Sequence, residues 1–537
     1  MKNKIKVCII QLTRFGDIIQ TMQAISNFNI EREIEFSIVT RKSFSDPLRY
    51  QFKNKFKNIF DIDLKRYYSD NNFSKTKSVL NKEITVINEN DYDLVINLTF
   101  SKTSAYLSTL INAKARTGLY FDNENQIKID DKLSRYFYTN VNSSMSNSFH
   151  ICDLFKQIIG LNSRPTQLIE NHSTEITIHP FASKKKKMWS GKKWIEIIFK
   201  LLRDNDGIKI NIIGSKAEIK NSKEITNSVI LQKYKSRIFN FTGLTNIEET
   251  EKIIKKSRLL IAHDSLNIHI AAYNGIQSIM IALGSSRVLE TSPYLESCYI
   301  LSSNKDCFPC HVNTACDDFV CHNSISYQAV VELTNELIKK NEYNESNNIN
   351  KISSFSRTGL ILQKTIYKDE LLQLQPIINL PNDYNIRNIL NFSWNYYLNE
   401  DDLNIKTIDN NELIQFESHL NHLNNLFDLT QFGKKYSEYI LREVSSKNPK
   451  LSLIKEYSNN IDEIEKLFLQ LSPLNPIFDG ILKFFKFERA NLSGNNLVEI
   501  TEFSYYSFQS MELFLKIVYE LVNSKVKQPN KPVENSI

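Results

Sequence analysis

Residues 257–286 read SRLLIAHDSLNIHIAAYNGIQSIMIALGSS. Leu259 to Ala262 form a short apolar run, the pattern of a buried strand. His263-Asp264-Ser265 turns the chain, and Asp264 and Ser265 are both residue types whose side-chain oxygens cap helix amides. A short helix is expected over Asn267–Asn274, with His269 on its first turn and Gly275 at its end. A second buried strand, Ile276 to Ala282, then leads to Gly284-Ser285-Ser286. Strand, capped helix and strand make one βαβ unit with its polar residues at the carboxyl end of the first strand. Open α/β sheets bind ligands in that crevice, and a helix N-terminus there favours an anionic group. The same residues also fit a plain crossover with a satisfied cap.

Working outward, 537 residues exceed a single core and suggest about three domains. With 41% hydrophobic and 24% charged residues the composition is globular. No apolar run approaches the ~20 residues that span a bilayer. The chain runs straight into a strand-like stretch, Ile5 to Gln11, without the three-part pattern of a signal peptide. A cytoplasmic protein is expected, with peripheral contact at the inner face of the inner membrane left open. Residues 1–340 hold 47 basic against 35 acidic side chains, a balance of +12; residues 341–537 hold 20 against 25, a balance of −5. The positive excess suits anionic partners, but no nucleic-acid recognition motif accompanies it, so no nucleic-acid partner is expected.

Strand-like runs at Lys4–Gln11, Glu35–Thr40 and Leu94–Asn97 alternate with helical ones, the pattern of a parallel sheet covered by helices. After the first run Gly16 is expected to permit a tight turn and Asp17 to open a helix. On its own Asp17 equally suits a helix dipole. A second module starts near Glu175 with Ile176-Thr177-Ile178 and the turn His179-Pro180-Phe181. Lys184–Lys187 is a four-lysine run, and Lys187-Met188-Trp189 competes in register with Lys192-Lys193-Trp194. Lysines of this kind pair with phosphate as mobile point charges. Glu218 follows a further strand and turn, where an acidic side chain can accept from ribose hydroxyls.

The set Asp264-Ser265, His269, Ala271-Ala272 and Gly275, together with Gly16-Asp17, resembles glycosyltransferase family 9, the ADP-heptose:lipopolysaccharide heptosyltransferases. The chain departs from the family at Leu266 and Phe181, where the family has glycine. The resemblance spans residues ~4–340. It implies two Rossmann-like domains facing a cleft (the GT-B type), 1–165 for the acceptor and 166–340 for the nucleotide-sugar. It also implies Asp17 as the catalytic base, and Lys187, Glu218, Asp264, Ser265 and His269 as donor-binding residues. The implied reaction moves a heptosyl or related residue from an ADP-sugar to the lipopolysaccharide inner core of a Gram-negative cell.

Cys307, Cys310, Cys316 and Cys321 fall within fifteen residues. In a cytosolic chain such spacing reads as tetrahedral thiolate ligation of zinc, with iron an alternative, or else as plain buried thiols. The chemistry itself is expected to need no cofactor. A comparable cysteine loop recurs in many family 9 sequences, including transferases that modify proteins, and a protein acceptor is the alternative substrate. A degenerate sugar-nucleotide binder acting through its helices is the other alternative. Residues 341–364 read as a linker, 365–526 as an all-α domain, and 527–537 as a disordered tail.

Overall fold

The computed structural model describes residues 4–28, 33–51, 55–64, 73–142, 146–339, 359–381, 383–399, 417–491, 494 and 496–526. Most of the expected linker and all of the expected tail lie outside these residues. The chain divides into two units, one formed by 1–127 and 149–382, the other by 128–148 and 383–537.

The first unit holds two α/β layers. Strands β1 (Ile5–Ile10), β2 (Ile34–Arg41), β3 (Asn58–Ile62), β4 (Tyr92–Asn97) and β5 (Ala113–Gly118) form a parallel sheet in the order β3-β2-β1-β4-β5. β1 can sit at its centre because Val7 to Ile10 are buried on both faces, as a strand covered by helices on each side requires. The second sheet is built on β6 (Glu175–His179), β7 (Lys209–Ile212), β8 (Ile238–Asn240), β9 (Leu259–His263), β10 (Ser278–Ile281) and β11 (Tyr299–Ser303), all parallel. Its order is β8-β7-β6-β9-β10-β11. Every residue of β9 is buried, so the apolar run quoted above lies at the heart of this sheet. Helix α1 (Phe15–Ala24) follows β1, α2 (Ile151–Ile159) leads from the first layer to the second, and α3 (Leu266–Tyr273) follows β9.

Two antiparallel strands, β12 (Leu360–Lys368) and β13 (Leu371–Ile378), extend the second sheet beyond β11. They occupy residues expected as linker and as the start of the helical region. The hairpin turns on Asp369 and Glu370 alone, at φ 51° and 62°, a left-handed pair matching the strand twist. Neither residue is glycine or asparagine, so the turn carries no familiar letter pair. A buried polar cluster ties the hairpin to α2. Tyr294 Oη donates to Asp153 Oδ1 at 2.7 Å, Leu372 N donates to Asp153 Oδ2 at 2.9 Å, and Lys156 Nζ stands 3.3 Å from the same carboxylate.

The second unit is helical: α4 (Tyr384–Asn399), α5 (Glu417–Val444), α6 (Leu451–Leu471), α7 (Asp479–Ala490) and α8 (Leu497–Val526). Its core centres on Trp394, whose ring lies 4.2 Å from Phe514 and 5.2 Å from Phe484. The earlier segment 128–148 joins this core through Tyr136, 4.9 Å from Trp394. Asn391 donates to the Ser148 carbonyl, and Ser146 Oγ donates to the Pro476 carbonyl at 3.1 Å. No described helix is long and apolar enough to cross a membrane.

Candidate active site

β1 delivers the chain to Arg14, and α1 starts at Phe15, which places Asp17 on its first turn. Asp17 Oδ2 accepts the Arg14 amide at 3.0 Å, so this carboxylate does cap its own helix. Gly16 is helical and makes no turn, contrary to expectation. A β-carbon there would lie 3.2 Å from Cδ2 of His269, and the missing side chain is what admits that ring. His269 is buried on α3, and its Nδ1 has no hydrogen-bond partner among the described residues. Burial lowers its pKa, against the opposing pull of Asp264 and Asp17, so the ring is neutral at neutral pH. His269 therefore feels the charge of Asp17 and of Asp264, one from each of the two α/β layers.

Asp264 does not cap α3. Its Oδ2 meets Lys187 Nζ at 2.5 Å, with the two side chains 9% and 13% exposed. Burial alone would raise the Asp264 carboxyl; Lys187 and His269 outweigh it and hold the group below the usual carboxylate range. Ser265 is the N-cap residue, yet its hydroxyl makes no cap bond and instead lies 3.1 Å from His179 Nδ1. Burial pushes His179 down to about 4, leaving a neutral ring 4.0 Å from Glu218 Oε2. Glu218 is already engaged, accepting Ser215 N at 2.6 Å and Ser215 Oγ at 2.9 Å. Phe181 fills the space beside Gly214, where a β-carbon would lie 2.9 Å from its ring.

The competing lysine registers separate cleanly. Lys187 turns to Asp264. Lys193 turns away, bonding the carbonyls of His322 and Ile325 and lying 4.5 Å over the Trp189 ring. Burial lowers Lys193 to about 8. Trp189 is fixed by its amide, which donates to His263 Nε2 at 3.1 Å. His263 gave no sequence signal beyond its place in the turn, and it is the last residue of β9.

Residues 82–318 match the model of glycosyltransferase family 9 (heptosyltransferase). The matched stretch, under half of the chain, is similar to family 9 glycosyltransferases. Among curated proteins no sequence matches the chain. Of solved structures, a family 9 glycosyltransferase from Veillonella parvula is 15% identical with a TM-score of 0.47, over 62% of this chain and 97% of that one. E. coli heptosyltransferase WaaC with ADP is 15% identical with a TM-score of 0.45, over 62% and 100%. E. coli ADP-heptose lps heptosyltransferase II gives 15% and 0.42, over 62% and 98%.

The cysteine loop is anchored by the lysine run. Lys186, itself buried, donates to the carbonyls of His311, Val312 and Thr314 at 2.8 to 3.0 Å, and Lys184 to that of Val312. Gly284 has φ +58°, and a β-carbon there would lie 2.3 Å from the Lys186 carbonyl, so glycine alone lets the two loops close. Burial raises the Cys310 and Cys321 thiols, and Cys307 and Cys316 raise both further. Among the described residues no three metal-binding side chains converge, these four thiols included.

A cavity of about 440 Å³ opens at the carboxyl ends of the first sheet's strands. Leu64 follows β3, Arg41 ends β2, Leu12 and Thr13 follow β1, and Thr99, Ser101 and Thr103 follow β4. Arg41 brings a positive charge to this lining. The hydroxyl residues opposite it come from separate loops that only the sheet order brings together.

Proposed function

We propose that the chain transfers a heptosyl or related residue from an ADP-sugar to an acceptor hydroxyl, with inversion. The observation that carries this reading is the meeting of Asp17, His269, Asp264 and Lys187 at one place, with Gly16 shaped to admit the histidine. In the proposed step the acceptor oxygen gives its proton to Asp17 as it bonds the anomeric carbon. The bond from that carbon to the diphosphate breaks, and its electron pair leaves with the ADP. Lys187, set free from Asp264 by the donor, neutralises the departing phosphate. Glu218, Ser265 and His269 hold the nucleoside and sugar.

The acceptor in this reading is the lipopolysaccharide inner core, reached from the cytoplasm at the inner face of the membrane. The cysteine loop and the added helical unit support a protein acceptor as the second reading. Cys307, Cys310, Cys316 and Cys321 would hold one zinc or iron ion, and thiolate ligation would stabilise the loop anchored by Lys186. Purified protein is incubated with a panel of nucleotide-sugars, each with a lipopolysaccharide-core or a polypeptide acceptor. Release of ADP only with an ADP-heptose supports the proposal. Binding without turnover of any donor would make the chain a sugar-nucleotide binder. Elemental analysis of protein purified without chelator tests the metal; a content near zero removes it.

A further inference from the structure

Helix α8 packs one face into the core of the helical unit through Phe508, Met511, Phe514, Leu515 and Val518, all buried. Its opposite face is also apolar: Phe503, Tyr506 and Leu513 are 48%, 58% and 50% exposed. A helix apolar on two faces leaves a contact unfilled among the described residues. Phe503, Tyr506, Ser510 and Leu513 follow the 3-4-3 spacing of a coiled-coil seam.

We infer that this face is the seam of an antiparallel homodimer, in which α8 of one copy lies against α8 of a second. The stripe is complementary to its own reversal. About a two-fold axis near Phe508, Phe503 falls opposite the other copy's Leu513, and bulky Tyr506 opposite small Ser510. The charges repeat the match. Glu502, Gln509 and Lys516 flank the stripe on one side, all exposed. In an antiparallel pair that flank meets its own counterpart in reverse, so Glu502 faces Lys516, Gln509 faces Gln509, and Lys516 faces Glu502. A parallel pair would instead set this flank beside the other copy's Ser507 and Phe514, where no opposite charge meets it. Lys516 also holds Glu512 of its own helix at 2.5 Å, yet its side chain stays 51% exposed and available to a partner. A seam of three turns is at the small end of interfaces, so the dimer should depend on concentration.

Sedimentation of the full chain over a range of concentrations is the test. The wild type should pass from monomer to dimer. Glu502→Lys, on an exposed site, sets like charges together on both sides of the axis and should weaken the dimer at least about tenfold. Leu513→Glu should abolish it, with the thermal transition of each variant confirming a folded chain. Under mild oxidation Gln509→Cys should cross-link to itself, while Glu502→Cys should not. A protein that stays monomeric overturns the inference and leaves the face to a different partner. A dimer indifferent to both substitutions, or one cross-linked through position 502 and not 509, overturns it equally.

Discussion

A methyl group on Gly16 would press on the ring of His269, and Asp17 stands next to it in the chain. Asp17→Asn keeps the size and the cap, because asparagine caps helices as well as aspartate does. If Asp17 takes the acceptor proton, this variant should lose at least ~10²-fold in turnover while binding the donor as before. Unchanged turnover would return Asp17 to a purely capping role, and measuring donor affinity and rate together separates the two. Asp264 allows a pH test. Its folded-state pKa is depressed, so its contribution to stability is present above the ordinary carboxylate range and is lost as pH falls through the lower folded value. Lys187→Met should flatten that acid limb in thermal melts recorded against pH. The letters Asp17, Lys187, Asp264 and His269 were legible as a spaced set. What Ser265 and Glu218 touch was not, since both looked inward to chain neighbours or to His179, a contact no spacing encodes.

Between elements, α5 comes close to α8 at Gly433, where a β-carbon would lie 2.3 Å from the ring of Phe508. Gly433→Ala should therefore cost about 1–3 kcal/mol by overpacking, despite the better helix propensity of alanine, and thermal unfolding measures it. The same pair of helices is joined by Glu512, which binds Lys434 at 2.7 Å. Burial would raise this carboxyl, but Lys434 and its neighbours pull it down to about 2. Its stabilisation is complete above the usual glutamate pKa and disappears as pH drops towards about 2. Glu512→Gln should lower the melting temperature at neutral pH and match the wild type near that acid limit. Helices at this scale were legible from apolar spacing of three and four. The hairpin β12–β13 was not, because its two-residue turn is made by Asp369 and Glu370 and its strands are too mixed to announce one buried face.

At the scale of the molecule, the charge shift near residue 340 reads as the start of a separable appendage. A chain ending there would lose β12, whose Leu360 and Leu362 are buried against the second sheet. It would also take Trp394 away from Tyr136. Such a truncation should be less soluble than one ending at residue 382, which keeps the sheet whole; expression and ADP binding of the two compare them. Should the shorter chain bind ADP normally, the hairpin is dispensable to the donor site. The segment 128–148 was expected within the domain 1–165 but belongs to the helical unit, since its apolar residues look alike whether they face a sheet or a distant helix. Its placement has a consequence for biosynthesis. Residues 128–148 leave the ribosome long before Trp394 and Phe484, with which Tyr136 is finally enclosed. At ~5–20 residues per second the nascent chain waits on the order of tens of seconds with that aromatic surface uncovered. A holdase chaperone has its natural target there, and arrested nascent chains stalled between residues 200 and 380 should be the ones it captures.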